Sequence, residues 1–156
     1  PFIDSLTQEL LPWLKRNYHV TSDPSQTIVA GSSYGGLAAT FAALRYPQKY
    51  GNVLSQSGAF WWQPPQSSSP WILKQYASLP IQSIRFYLDV GDQETEIWEE
   101  KMRMLAVNRQ FRDLLINKGY SVYYYEFHGG HEYDCWRKTF SRGLMALMRG
   151  IKNVES

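Results

Sequence analysis

Five consecutive residues, Gly31-Ser32-Ser33-Tyr34-Gly35, constrain this chain more than anything else in it. They follow a short apolar run, Thr27-Ile28-Val29-Ala30, and open a stretch of small residues and helix formers, Gly35 to Arg45, that stops before Pro47. The order is a buried strand, a glycine-flanked turn and a buried helix. G-x-S-x-G at such a junction is the pattern of a nucleophile elbow, in which the chain turns so sharply that the serine takes a strained backbone conformation. A chain of this length meets the three fixed positions by chance about 0.05 times. The glycines are expected to let strand and helix approach without Cβ clashes. Ser33 then stands clear at the carboxyl edge of a sheet, over a helix N-terminus that favours developing negative charge.

The rest of the chain supplies the sheet. Asn52 to Ser55, Ile84 to Val90 and Ser121 to Phe127 read as further strands, the second ending at Gly91 and the third aromatic. Helical spacing appears over residues 5–17, with Pro12 expected to kink or shorten that helix, and over residues 95–118, ending at Gly119. Trp98, Met102, Leu105, Val107, Phe111, Leu114 and Leu115 form the apolar side of the second. A last helix is expected to bury Phe140, Leu144, Leu147, Met148 and Ile151. Residues 59–70 are a Pro- and Ser-rich loop. Strands alternating with helices predict an α/β fold, a mostly parallel sheet with helices on both faces, in one domain over residues 1–156.

A serine nucleophile needs a base later in the chain, in the loop after the final strand. His128 and His131 both lie there, flanking Gly129-Gly130, whereas His19 precedes the first turn and reads as a surface residue. Glycines directly before a histidine let its ring fold back over the nucleophile, which favours His131 and leaves His128 at the edge of the site. The triad acid belongs after the penultimate strand, where Asp92 and Glu94 both sit; Asp89 lies within the strand itself. Either loop carboxylate equally suits a helix N-terminus, so position alone does not separate them.

Composition narrows the partners. A formal net charge of +2 without long runs gives no clustered basic face for nucleic acid. No apolar run approaches the ~20 residues of a membrane span. The single cysteine, Cys135, excludes an internal disulfide framework and a four-cysteine zinc site, and reads as a small buried side chain. No signal peptide is visible, and the opening Pro1-Phe2-Ile3-Asp4 lies inside an amphipathic helix without an initiator Met, as expected of a fragment or excised domain.

Two blocks carry a resemblance. The stretch from Ser33 to Trp62, SYGGLAATFAALRYPQKYGNVLSQSGAFWW, and the run Gly129-Gly130-His131-Glu132-Tyr133-Asp134-Cys135-Trp136-Arg137 resemble the enterochelin (enterobactin) esterases of the esterase-D-like α/β-hydrolase family; Glu9-Leu10-Leu11-Pro12 fits as well. The resemblance implies the C-terminal portion of an α/β-hydrolase fold. It implies a cytoplasmic or periplasmic enzyme that opens catecholate trilactone siderophores to release iron. Ser33 then matches the nucleophile and His131 the histidine. The acid of such enzymes falls three residues after the strand-ending glycine, which is Glu94, although some relatives work with a Ser–His pair. The Tyr34 N–H supplies one oxyanion donor. The family's N-terminal half supplies the first sheet strands and a second donor, and a lost donor typically costs ~10²–10³ in rate. The 156 residues alone are therefore expected to be poorly active, with an exposed sheet edge.

The expected chemistry needs no cofactor and no metal, since iron would arrive on the substrate. The expected partner is a small-molecule ester, a ferric siderophore among the candidates. Trp61 and Trp62 follow the strand beside the elbow and are expected to wall a pocket for an aromatic acyl group. Gln56 and Ser57 end that strand and are expected to reach substrate; Arg137 or Arg85 would pair with an anionic ferric catecholate. The alternatives are another carboxylesterase, acting on feruloyl, acyl-glutathione or short-chain esters, and a non-catalytic binding module on the same fold.

Overall fold

A computed structural model describes residues 2–94 and 104–149. Its centre is a four-stranded, wholly parallel sheet in the order β1-β2-β3-β4, with β1 at Ile28–Ser32, β2 at Asn52–Gln56, β3 at Arg85–Gly91 and β4 at Ser121–Phe127. Strands in sequence order lie side by side, so each connection is a helical crossover. The helices are α1 (Phe2–Ser5), α2 (Leu11–Asn17), α3 (Tyr34–Arg45), α4 (Trp71–Ser78), α5 (Met104–Asn117) and α6 (Tyr133–Met148).

The two central strands are buried on both sides, polar Asn52, Ser55, Gln56 and Asp89 included, so neither shows a simple apolar–polar alternation. Successive residues still alternate between faces. Val53, Phe86 and Leu88 join the main core with Ala39, Ala42 and Ala43 of α3, Ile72 and Tyr76 of α4 and Phe111 and Leu115 of α5. Leu54 and Tyr87 point the other way and pack with Leu147 of α6. The α6 axis comes close because Gly143 lacks a side chain: a Cβ there would lie 2.8 Å from both Leu54 and Tyr87.

Two expectations are revised. At Pro12 the N-terminal helix is irregular but does not stop. A π-helical turn over Leu6–Leu10 links α1 to α2, with the Leu11 N–H bonded to the Leu6 carbonyl, so the ladder widens before the residue that cannot donate. Residues 71–78, to which the sequence pattern assigns no element, form α4. In α6 the buried stripe is Thr139, Gly143 and Leu147, while Phe140 and Met148 are exposed. Trp98, Met102 and Ile151 lie outside the described residues. The end of α5 is as expected: Gly119 has φ +91°, and Tyr120 N donates to the Leu115 carbonyl across it.

Candidate active site

The elbow forms where β1 meets α3. Ser33 sits at the helix N-cap with φ 56° and ψ −121°, outside the ordinary regions for an L-residue. Surrounding backbone holds it there: its N–H donates to the Gln56 carbonyl, and its own carbonyl accepts from Leu37 and Ala59. The Tyr34 N–H, at the first helical position, lies outside the intrahelical ladder and faces the anion-favouring end of the helix.

The glycine requirement differs from the simple motif. A Cβ on Gly31 would lie 2.3 Å from the Gly35 carbonyl group, so strand and helix do touch there. A Cβ on Gly35 would meet nothing within 4 Å. The second tight position is Gly36, where a Cβ would lie 2.4 Å from Ser55 Oγ and 3.1 Å from Gly58 Cα.

Three side chains from three loops meet above the sheet. His131 Nε2 is 3.0 Å from Ser33 Oγ, and His131 Nδ1 is 2.7 Å from Glu94 Oε2. The histidine side chain is 40% exposed and the glutamate 1%. Glu94 Oε1 is occupied separately, accepting from Gly91 N at 2.8 Å and Ser57 Oγ at 2.5 Å. The histidine loop is pinned to the acid loop by close backbone contact: the Gly129 carbonyl lies where a Cβ of Gly91 would be, at 2.2 Å, and accepts from Gln93 N. Gly129 itself has φ +153°, and a Cβ there would lie 2.6 Å from the half-buried Cys135 sulfur.

Asp92 is engaged elsewhere. Its carboxylate contacts His128 Nδ1 at 3.0 Å and accepts from Gly129 N at 3.1 Å. The His128 contact, then the Gly129 N–H, hold its carboxyl below the usual range. His128 and Asp92 thus form an outer pair, and Glu94 alone of the two loop acids meets His131. Asp89 points to the α6 face, where burial pushes its carboxyl up to about 6 while Thr139, Gln56 and Tyr87 pull part of the way back.

Other expected site residues fall in different places. Gln56 is 2% exposed. It points to the α6 face, donating to the Trp136 carbonyl at 2.8 Å and Thr139 Oγ1 at 2.7 Å, and accepting from Ser32 Oγ at 3.3 Å. It braces α6 against the sheet and has almost no exposed surface. Ser57 is fully buried, with its hydroxyl on Glu94. Arg85 starts β3 at the opposite end of the sheet, bonded to the Ser25 carbonyl, and Arg137 pairs with Asp134 on the surface of α6. Trp61 lies beside the elbow, edge to face with Tyr34 at 5.7 Å, and Trp62 packs against Trp71 at 6.0 Å. His19 is exposed. Among the described residues no cluster of His, Cys, Asp or Glu could hold a metal ion, and no helix is long and apolar enough to cross a membrane.

A parallel α/β sheet with an elbow serine, a histidine after the last strand and a carboxylate after the one before it defines an α/β-hydrolase. The comparisons with known proteins agree. Residues 1–147 match the model of the family described as "Putative esterase", and the chain belongs to that esterase family. It is 33% identical over 158 residues to the iron(III) enterobactin esterase of Dickeya dadantii, covering 94% of this chain and 35% of that protein. The crystal structure of the Shigella flexneri enterobactin esterase determined in the presence of enterobactin is 31% identical. It superposes with a TM-score of 0.79 over 95% of this chain and 37% of that one. A ferulic acid esterase, 21% identical with a TM-score of 0.75, shares the fold. The chain spans about a third of the length of the curated enterobactin esterases it matches.

Proposed function

We propose that this chain carries the catalytic triad of a serine ester hydrolase acting on catecholate trilactone siderophores of the enterobactin type, as the C-terminal portion of an α/β-hydrolase domain. The observation that carries the reading is the unbroken line of contacts from Ser33 Oγ through His131 to Glu94 Oε2. With Nδ1–H donated to Glu94, the Nε2 lone pair faces the Ser33 hydroxyl and takes its proton as Oγ attacks the ester carbonyl. The Tyr34 N–H stabilises the oxyanion. The imidazolium then protonates the departing alkoxide, and water activated by the same histidine hydrolyses the acyl-enzyme. Glu94 keeps the ring in the productive tautomer and stabilises its charged form without being protonated.

The substrate class rests on the relatives above and on the aromatic side chains next to the elbow, Tyr34 and Trp61, whose rings suit a catecholate. Iron enters as cargo of the substrate. The test compares turnover of a ferric catecholate trilactone with that of a feruloyl ester and a short-chain ester by the full-length protein. Preference for the trilactone, lost in Ser33→Ala, supports the reading. Preference for the feruloyl ester moves the enzyme to that substrate class, and turnover undiminished in Ser33→Ala sinks the serine mechanism.

A further inference from the structure

Glu94 is held by a second set of residues that the triad does not include. The Trp136 indole nitrogen lies 2.9 Å from Ser57 Oγ, and Ser57 Oγ lies 2.5 Å from Glu94 Oε1. The proton direction along this line is fixed by chemistry. An indole N–H only donates, so the Ser57 oxygen accepts there, and its own proton goes to the carboxylate. Gly91 N donates to the same carboxylate oxygen. Oε1 is thereby occupied by two donors, and Oε2 is left to His131.

Two further features tie this line to the histidine. Ser57 has φ 46°, one of only two non-glycine residues with positive φ among the described residues; the other is Ser33. Such a conformation persists where surrounding bonds over-determine it, and here Ser57 N donates to the Asp89 carbonyl at 2.7 Å. The Trp136 ring, besides donating to Ser57, stands edge-on to the His131 imidazole with centroids 4.8 Å apart. One tryptophan thus contacts the base directly and the acid through a single hydroxyl.

We propose that Ser57 and Trp136 are positioning residues of this active site: they aim the Glu94 carboxylate so that Oε2 faces His131 Nδ1. The proposal rests on the triad reading above. Ser57 is fully buried and has no access to substrate, and the half-buried Trp136 packs against the His131 ring. Their effect is therefore expected in kcat, with KM unchanged.

The test uses the full-length protein, p-nitrophenyl acetate turnover and the rate of fluorophosphonate labelling at Ser33 followed by mass spectrometry. Ser57→Gly removes the hydroxyl while suiting the positive φ; Ser57→Ala removes it without that relief. Each is expected to lower kcat and the labelling rate about 10–100-fold, the worth of one hydrogen bond to a charged group. Trp136→Phe, which keeps a ring beside His131 and deletes the indole N–H, is expected to lower them several-fold. In a Glu94→Ala background Ser57→Gly is expected to cost less than about 2-fold, because there is no carboxylate left to aim. A purely structural role would add its cost in both backgrounds. Ser57→Gly within 2-fold of the parent, or an equal loss with and without Glu94, overturns the proposal. So does a loss confined to KM. If Ser57 variants fail to unfold cooperatively, Trp136→Phe decides: unchanged kcat overturns the proposal and a several-fold loss supports it. Ser33→Ala in the same assays separates the two levels. Activity lost there but kept in Ser57→Gly rejects only the positioning role, whereas activity kept in Ser33→Ala rejects the triad and the positioning role together.

Discussion

Gln56 and Asp89 stand opposite each other in the register between β2 and β3, with Gln56 Nε2 3.4 Å from Asp89 Oδ2 on the face covered by α6. A buried carboxylate beside an amide that is also bonded to Trp136 and Thr139 makes this the polar junction between sheet and helix.

Burial raises the Asp89 carboxyl from 3.8 to about 6, so the folded chain holds this proton more tightly than the unfolded one. Folding takes up a proton between about pH 4 and pH 6, and stability falls as pH rises through that window. The loss is at most about 3 kcal/mol. Asp89→Asn should remove the pH dependence over this window and be the more stable protein at pH 7. Urea unfolding of both proteins at pH 4, 5, 6 and 7 measures this, and parallel curves would refute it.

The two loop acids should separate cleanly in activity. Glu94→Ala is expected to lower kcat roughly 10³–10⁴-fold, the scale seen when a triad acid is lost elsewhere. Asp92→Asn is expected to cost less than about 5-fold, because Asp92 serves His128 and the Gly129 N–H. The ratio of the two kcat values with p-nitrophenyl acetate is the measurement. A larger loss in Asp92→Asn would reverse the assignment.

Alanine at the elbow glycines should give three different results. Gly35→Ala meets no neighbour and, in the first turn of α3, is expected to raise stability by at most ~0.5–1 kcal/mol. Gly36→Ala must push Ser55 aside and is expected to cost about 1–3 kcal/mol. Gly31→Ala drives a methyl into the Gly35 backbone, which cannot rotate away, and should be the most damaging. Thermal midpoints of the three variants rank them, and a destabilised Gly35→Ala would contradict the geometry.

Gly143→Ala tests the closeness of α6. Its methyl would lie 2.8 Å from Leu54 and Tyr87, and overpacking of this kind costs about 1–3 kcal/mol. Chemical denaturation reads the change directly; no loss of stability would mean that the helix can shift outward freely.

How far the sequence foretells this molecule depends on which physical signal carries each feature. All four strands and the elbow are legible, because apolar runs bounded by glycine and turn residues have few other solutions. Gln56 was misplaced for a related reason. In a strand buried on both sides, hydrophobic alternation gives no parity, so nothing in Asn52 to Gln56 says which face each side chain takes. Helix α4 buries only Ile72 and Tyr76, and Pro70 caps it without a side-chain hydrogen bond, so it left little pattern to find. Phe140 and Met148 are apolar yet exposed, and the helix face is chosen instead by Thr139 and Gly143, whose smallness permits the contact. Glu94 and Asp92 are two residues apart in one loop, so position alone did not separate them and the resemblance pointed to Glu94; the folded turn, with Glu94 N donating to the Gly91 carbonyl, brings Glu94 to His131. Ser57 was expected to reach substrate and Trp136 lay within the histidine-loop block of the resemblance, yet nothing in the sequence says that their side chains meet each other and Glu94.

Ser33, Ser57, Glu94 and His131 follow the ends of four different strands, at sequence separations of 37 for Ser57 and Glu94, 37 for Glu94 and His131, and 98 for Ser33 and His131. No stretch of the chain holds more than one of them near its neighbours in sequence, so every contact in the line is non-local and carries its own loop-closure cost. A ribosome that has released β1 to β3 has released a serine with no base within reach. The line is completed only when the final strand docks, so under the proposed function Ser33 would gain its base at the last step of assembling these four strands.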